Sequence, residues 1–192
     1  MSSSAPVGTR MLGEELIAAG FEFIDAPVSG GVKRAIDGTL AVMAGGDGRT
    51  LDKVEPVLKA MSKSIFRTGP LGSGHAAKAL NNYVSATGLA AAVEAVAIGS
   101  RFGIDPNTLV DVLNASTGRN NATENKLKQF VLSESFASGF SLALMAKDIG
   151  TAADLAHQLD IPAPLADEVA SLWGAALKTL GASADHTEIG RY

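Results

Sequence analysis

The chain has 192 residues, of which 46% are apolar and 19% charged, so it is long enough to fold around one or two hydrophobic cores. A net charge of −4 without a basic run argues against a nucleic-acid-binding protein. The lack of cysteine excludes disulfides and thiolate sites, and three scattered histidines argue against a metal centre. No secretory signal is visible at the start, and polar residues interrupt the longest apolar run, 84–99, so we expect a cytoplasmic protein without a membrane span.

Helices and short strands alternate along the chain up to about residue 70. This alternation indicates an α/β layer of about three strands, at least partly parallel. Ser4 is the predicted N-cap of the first helix. The predicted elements are a helix at 6–19, a strand at 21–28, a strand at 39–44, a helix at 51–61 and a strand at 64–68.

From about residue 74 the pattern is helical only, which predicts an all-α bundle of about five helices. The predicted fold class is therefore α/β followed by all-α, with a partial Rossmann-type domain at 1–72 and a helical domain at 73–192. The predicted helices cover 74–102, 106–115, 121–132, 141–159 and 164–180.

One expected pattern is missing from the α/β half. No G-x-G-x-x-G follows a first strand, and the segment Gly46-Asp47-Gly48 lacks the third glycine. Three strands also make a narrow sheet, and parallel strands generally need other elements packed on both faces of their sheet. We interpret this half as the second part of a larger sheet.

The segment GSGHAAKALNN, residues 72–82, combines a glycine-rich turn with a helix that carries a lysine. Lys78 and Asn82 are one helical turn apart, so they lie on one face and can converge on one small ligand. A lysine among apolar neighbours loses hydration, which favours its neutral form and suits proton transfer. The alternative is a surface lysine that extends over the start of a helix.

Two further segments are candidates for chemistry. Ser29, Gly30 and Gly31 follow a predicted strand, where successive backbone N–H groups can bind an anion such as a carboxylate, although a plain tight turn needs no more. Lys147 and Asp148 lie inside an apolar helix. Because adjacent helical residues point in different directions, we expect no ion pair between them, and a solvated helix edge is the alternative.

These segments occur in the order and spacing of one protein family. DAPVSGG (25–31), GSGHAAKALNN (72–82) and MAKD (145–148) resemble the β-hydroxyacid dehydrogenases, the group that contains 3-hydroxyisobutyrate dehydrogenase and tartronate semialdehyde reductase. The resemblance extends along the whole chain. It implies an N-terminal Rossmann domain that binds NAD or NADP and a helical domain that closes the active site and forms a homodimer.

The resemblance also implies a role for each matching residue. Ser29, Gly30 and Gly31 would bind the substrate carboxylate, Lys78 would be the general acid/base, and Asn82 would orient the substrate hydroxyl or the lysine. Three further residues would belong to the cofactor site. Ser3 would lie near the nicotinamide, and Lys147, oriented by Asp148, would reach the cofactor. Possible lining residues of the site are Asn121, Lys126 and Phe140.

The chain departs from the family at its start, because Met1 aligns with an internal position. The phosphate-binding glycine loop and the residue that selects NAD or NADP lie ahead of that position in the family. We therefore expect a truncated chain that binds NAD(P) weakly, has little activity alone and associates at least as a dimer. Which small hydroxy acid it would use stays open.

Two other functions remain possible. One is a 6-phosphogluconate dehydrogenase, a distant relative with a similar lysine-bearing helix, although that family has a far longer helical domain and basic residues for a sugar phosphate. The other is a non-catalytic helical dimerisation or binding module derived from the dehydrogenases.

Overall fold

The computed structural model describes all 192 residues, which divide into two compact units. The first unit contains residues 1–81 and 151–163, and the second contains residues 82–150 and 164–192. Two of the three boundaries between the units, at 81/82 and 150/151, fall inside helices, and the third, at 163/164, lies at the start of a helix.

The first unit is built around a four-stranded mixed sheet. The central strand pairs antiparallel with the two strands before it and parallel with the strand after it. A small apolar core lies beneath the sheet and includes Val42, Ala44 and Leu51. The elements are α1 (Pro6–Ala18), β1 (Ile24–Asp25), β2 (Val28–Ser29), α2 (Gly31–Ile36), β3 (Leu40–Gly46), α3 (Gly48–Lys59) and β4 (Ser62–Gly69).

The single strand predicted at 21–28 is wrong in its bounds and in its continuity. The ladder against β3 keeps one register from Ile24, opposite Gly46, to Ser29, opposite Ala41. It is interrupted at Pro27, which has no N–H to donate, although the Pro27 carbonyl still accepts from the Met43 N–H at 3.0 Å. The proline therefore divides one antiparallel strand into β1 and β2, and the sheet has four strands instead of three.

Local capping accounts for two further differences from the predicted elements. The N-cap of α1 is Ala5 and not Ser4, and its side chain makes no capping bond. Asp47, which lies in the incomplete glycine motif, caps α3 by accepting from the backbone N–H groups of Arg49 and Thr50. The glycine-aspartate-glycine segment is thus a helix start.

The second unit is all-helical and packs around one apolar core. Its bundle confirms the predicted helical region, with bounds within one or two residues for four of the five helices. The largest side chains without exposure are Trp173, Leu89, Leu127, Leu142 and Ile149. The helices of the second half are α4 (Ser73–Phe102), α5 (Pro106–Ala115), α6 (Asn121–Asn125), α7 (Leu142–Gln158) and α8 (Pro164–Leu180), followed by a 3₁₀ helix at His186–Arg191.

The helix predicted at 121–132 is divided in two. Asn120 starts α6 with a capping box that it forms with Thr123. Lys126 then leaves the helical region, with φ −129° and ψ −45°, and a π-helical turn follows at Leu127–Val131. Turns of this kind interrupt the regular ladder and often occur at functional sites.

Helix α4 is the longest element, with 30 residues. By length and composition it could cross a membrane, because an 18-residue window has a mean hydropathy of 1.3. A third of that window is buried inside the protein. Length and composition are weak evidence here, because the core helix of a soluble protein meets the same two criteria.

Candidate functional site

A buried carboxylate joins the two motifs of the first unit. Asp25, which is 3% exposed, accepts from the backbone N–H groups of Gly72 and His75, each at 2.7 Å. Gly72 closes the loop before α4, and His75 lies in the first turn of that helix. The aspartate at the end of β1 therefore holds the start of the lysine-bearing helix against the sheet. Bonds from N–H groups to a carboxylate are among the stronger hydrogen bonds in proteins.

The first turn of α4 approaches the sheet so closely that only glycine fits at position 74. A Cβ on Gly74 would lie 2.3 Å from the Met43 carbonyl oxygen and 2.8 Å from Asp25 Oδ2. The backbone of α4 thus packs directly on the backbone of β3. Lys78 lies one turn further along and is half-buried.

His75 connects the first residues of the chain to this helix. Its Nδ1 lies 2.8 Å from Thr9 Oγ1, and its Nε2 lies 2.8 Å from the Ser2 carbonyl oxygen. Because a carbonyl can only accept, Nε2 carries the hydrogen and donates it. The imidazole is buried, and its bond to the Ser2 carbonyl fixes the backbone next to Ser3. Ser3 itself is half-buried.

The predicted anion turn connects β2 to a short helix that the sequence analysis did not identify. Gly30 has φ +138° and Gly31 has φ +66°, both in the region that favours glycine. Gly31 begins α2, whose first N–H groups have no partner within the helix. A Cβ on Gly30 would lie 2.6 Å from Arg34 Cδ, so this arginine packs over the turn.

In the second unit, Asn82 and Asp148 form a buried pair. Asn82 Nδ2 donates to Asp148 Oδ2 at 2.6 Å, and the two residues are 6% and 2% exposed. Asp148 Oδ1 also lies 3.2 Å from Lys147 Nζ. One carboxylate therefore orients both the amide and the ammonium group. With Nδ2 directed at Asp148, the Asn82 amide oxygen points the other way.

The expectation that Lys147 and Asp148 make no ion pair is wrong. The two side chains leave the helix in different directions, but the long lysine chain bends back to its neighbour while its own surface stays 46% exposed. The solvated-edge alternative is also wrong for Asp148, which is buried.

Sequence reasoning did not give a role to three residues that the structure places at these positions. Asp25 begins the DAPVSGG segment, and the signal for its role is that it is a lone charged residue at the end of an apolar strand. Arg34 had none, because the short helix that carries it was not predicted. Lys126 was considered only as a lining residue. Its ammonium donates to Ser85 Oγ at 3.3 Å, and burial lowers its pKa to about 8, against the attraction of Asp185.

Asp185 and His186 tie the end of the chain to the segment before α7. Burial acts to raise the pKa of Asp185, but bonds from Thr187 and Ser138 outweigh it and hold that pKa below its usual range. Burial, and next the Lys126 charge, lower the pKa of His186 to about 4. The imidazole, 2.9 Å from Ser138 Oγ through Nδ1, is therefore neutral at physiological pH.

This cluster predicts a stability that depends on pH. The unfolded chain binds a proton on His186 below about pH 6.5, whereas the folded chain resists it until about pH 4. The free energy of unfolding should therefore fall by about 3 kcal/mol as the pH drops through this window. The Asp185 contribution should be lost only at still lower pH.

Urea unfolding at about pH 7 and about pH 4.5 measures the effect. The variant His186→Phe cannot take up the proton, so its stability should change less between the two conditions. Equal losses in both proteins would show that another group controls the acid sensitivity.

Comparison with known proteins identifies relatives of both halves. Residues 72–192 match the family described as "NAD-binding of NADP-dependent 3-hydroxyisobutyrate dehydrogenase". Residues 1–69 match the NAD-binding domain of 6-phosphogluconate dehydrogenase. The chain is 36% identical over 165 residues to the 2-(hydroxymethyl)glutarate dehydrogenase of Eubacterium barkeri, covering 86% of this chain and 55% of the relative.

Two further relatives agree with these matches. The chain is 34% identical over 183 residues to the NAD-dependent L-serine dehydrogenase of Pseudomonas aeruginosa, covering 92% of this chain and 61% of the relative. The solved structure of Mycobacterium tuberculosis 3-hydroxyisobutyrate dehydrogenase with L-serine has a TM-score of 0.92 at 33% identity. It is matched by 99% of this chain, over 67% of its own length.

The chain spans little more than half the length of the curated relatives it matches. The family match nevertheless includes the glycine turn, the lysine-bearing helix and the buried Asn82–Asp148 pair. The protein belongs to the β-hydroxyacid dehydrogenase family, whose members use NAD or NADP.

Proposed function

We propose that this chain carries the substrate-binding and acid/base residues of an NAD(P)-dependent dehydrogenase that interconverts a small β-hydroxy acid and its aldehyde or keto acid. The observation that carries the proposal is the pair of bonds from Asp25 to the start of α4. These bonds connect the DAPVSGG segment (25–31), through Asp25, to the lysine-bearing helix within one unit. An anion-binding turn and an amine are the two groups that a hydroxy acid needs.

Lys78 is proposed as the general acid/base. In its neutral form it would take the proton of the substrate hydroxyl, and in the reduction direction its ammonium would return that proton to the carbonyl oxygen. Asn82, one turn further along the same helix, would orient the hydroxyl through its amide oxygen. The bond from Asn82 Nδ2 to Asp148 supports this assignment because it fixes which end of the amide points away from the carboxylate.

The carboxylate of the acid is proposed to bind at Ser29, Gly30 and Gly31. The positive φ of both glycines brings backbone N–H groups to the start of α2, where a helix attracts negative charge. Arg34 adds a cation over this turn. Binding of the carboxylate at this turn would position the hydroxyl-bearing carbon for reaction, so the binding energy of the carboxylate would help to orient the reacting centre.

The donor groups present fit part of a dinucleotide. Ser3 offers a hydroxyl, and Lys147 offers an ammonium whose position is fixed by Asp148, so these residues are proposed to contact NAD or NADP. When bound, the nicotinamide accepts the hydride that leaves the hydroxyl-bearing carbon. The G-x-G-x-x-G pattern that holds a pyrophosphate does not occur among the 192 residues. We therefore propose that these 192 residues have little activity by themselves.

The names of the relatives suggest the substrate class. 3-Hydroxyisobutyrate, L-serine and 2-(hydroxymethyl)glutarate all contain a hydroxymethyl group on the carbon next to a carboxylate. They differ only in the side group on that carbon, which is a methyl, an ammonium or a carboxyethyl group. We propose that the substrate of this protein also carries a hydroxymethyl group on the carbon next to a carboxylate.

We further propose a cytoplasmic protein that forms at least a homodimer. Exposed apolar side chains on α4 support association: Val84, Ile98 and Phe102 are 67%, 70% and 87% exposed and recur at helical spacing. A stripe of this kind usually marks a surface that another chain covers.

The proposed function is tested by an activity assay of the protein expressed from its complete reading frame. We expect reduction of NAD⁺ or NADP⁺ when 3-hydroxyisobutyrate, L-serine or 2-(hydroxymethyl)glutarate is added. Lack of turnover with all three acids and both cofactors would contradict the proposal.

A further inference from the structure

His75 is a buried imidazole to which the proposed function gives no role. It is 8% exposed and lies in the first turn of α4. Its Nε2 donates to the Ser2 carbonyl oxygen at 2.8 Å, and its Nδ1 lies 2.8 Å from Thr9 Oγ1. Thr9 is itself 6% exposed and bonds to the Ala5 carbonyl oxygen at 3.0 Å. Because both ring nitrogens have a partner, the imidazole is held in one orientation.

The backbone at His75 is attached to the sheet independently of the ring. The backbone N–H donates to Asp25 Oδ2 at 2.7 Å, whereas the ring Nδ1 is 3.9 Å from that oxygen, beyond hydrogen-bond distance. Replacing the side chain would therefore leave the bond between Asp25 and the start of α4 in place. The bonds of the ring itself are made to the segment before α1 and to α1.

The ring ties Ser3 to the turn of helix that leads to Lys78. Residues 1–5 precede α1 and have no regular secondary structure. The bond to the Ser2 carbonyl attaches this segment to α4 at the residue before Ser3. His75 and Lys78 are three residues apart on α4, so they lie on one side of the helix. All of these residues belong to the first unit.

We propose that His75 is a positioning residue for the cofactor: by holding the Ser2 carbonyl, it keeps the Ser3 hydroxyl in the position from which it contacts NAD or NADP. This inference rests on the proposed function, which assigns Ser3 to the cofactor and Lys78 to the proton. Ordering a loose segment during binding costs free energy, and a segment that is already held avoids this cost. Without the imidazole, each binding event would have to order the Ser3 segment.

A double-mutant cycle on cofactor affinity tests whether His75 acts through Ser3. Fluorescence titration gives the dissociation constants of NADH and NADPH for the protein from its complete reading frame and for Ser3→Ala, His75→Ala and the double variant. We expect His75→Ala to weaken binding of the preferred cofactor by about tenfold in the wild-type background. In the Ser3→Ala background the same change should weaken it by less than about twofold.

Three further variants separate the hydrogen bond from the shape of the side chain. His75→Gln keeps an N–H donor for the Ser2 carbonyl and should bind the cofactor within about threefold of the wild-type protein. Thr9→Val keeps the branched shape but removes the hydroxyl next to Nδ1. It should weaken binding in the wild-type background and not in Ser3→Ala, which keeps the test available if His75→Ala does not fold. His157→Ala removes an exposed histidine of the same unit and should leave the affinity unchanged.

The cycle distinguishes this inference from the proposed function. Equal fold losses for His75→Ala in both backgrounds would show that the ring acts independently of Ser3. That result, or no loss in the wild-type background, would overturn the inference while the proposed function stands, and the same two results count against it for Thr9→Val. If the wild-type protein binds neither NADH nor NADPH, the proposed function fails and the inference fails with it.

Discussion

Replacing Lys78 with methionine is expected to lower the turnover of 3-hydroxyisobutyrate by at least ~100-fold in the protein from its complete reading frame. Methionine keeps the length and the apolar stem of the side chain but cannot take or give a proton. The hydroxyl proton would then have to leave to water during the reaction. Steady-state kinetics with saturating acid and cofactor measures the loss as a decrease in kcat.

The matched control is Lys63→Met, which removes an exposed lysine of β4 in the same unit. It should retain the wild-type kcat. Circular dichroism and urea unfolding of the Lys78 variant verify that the fold is intact. A Lys78→Met protein that is folded and turns over at the wild-type rate would remove the lysine from the proposed mechanism.

Replacing Asp25 with alanine is expected to lower the free energy of unfolding by about 3 kcal/mol or more. The change removes the acceptor of two short bonds and leaves the N–H groups of Gly72 and His75 buried without a partner. It also withdraws the carboxylate from the His75 ring, 3.9 Å away. Urea denaturation at neutral pH measures the loss.

Asp37→Ala is the control for this change, because Asp37 is exposed at the end of α2. Its stability should stay within about 0.5 kcal/mol of the wild-type value. A loss in Asp25→Ala no larger than in Asp37→Ala would show that the carboxylate does not hold α4 against the sheet.

The helical half follows from the sequence more closely than the sheet does. Proline at position 106 and the apolar periodicity from position 164 onward mark helix starts that local chemistry controls. The division of β1 from β2 depends on the ladder against β3, in which only Pro27 cannot donate. Short elements such as α2 have too few residues for a periodic signal.

For the site, the sequence predicts which residues carry chemistry but not how they are held. The spacing of Lys78 and Asn82 follows from helix geometry. The bond between Asn82 and Asp148 joins residues 66 positions apart, so no local pattern indicates it. The same holds for Lys126 and Ser85, since the partner of a half-buried lysine is set by tertiary packing.

Transfer of deuterium from the hydroxymethyl carbon of labelled 3-hydroxyisobutyrate to NAD⁺ or NADP⁺ tests directly whether an amine on α4 and an anion-binding turn serve one hydroxy acid. The wild-type protein should form the labelled reduced cofactor and the aldehyde together, and Lys78→Met should form both at least ~100-fold more slowly. No transfer by the wild-type protein, or equal rates in the two proteins, would contradict the assignment.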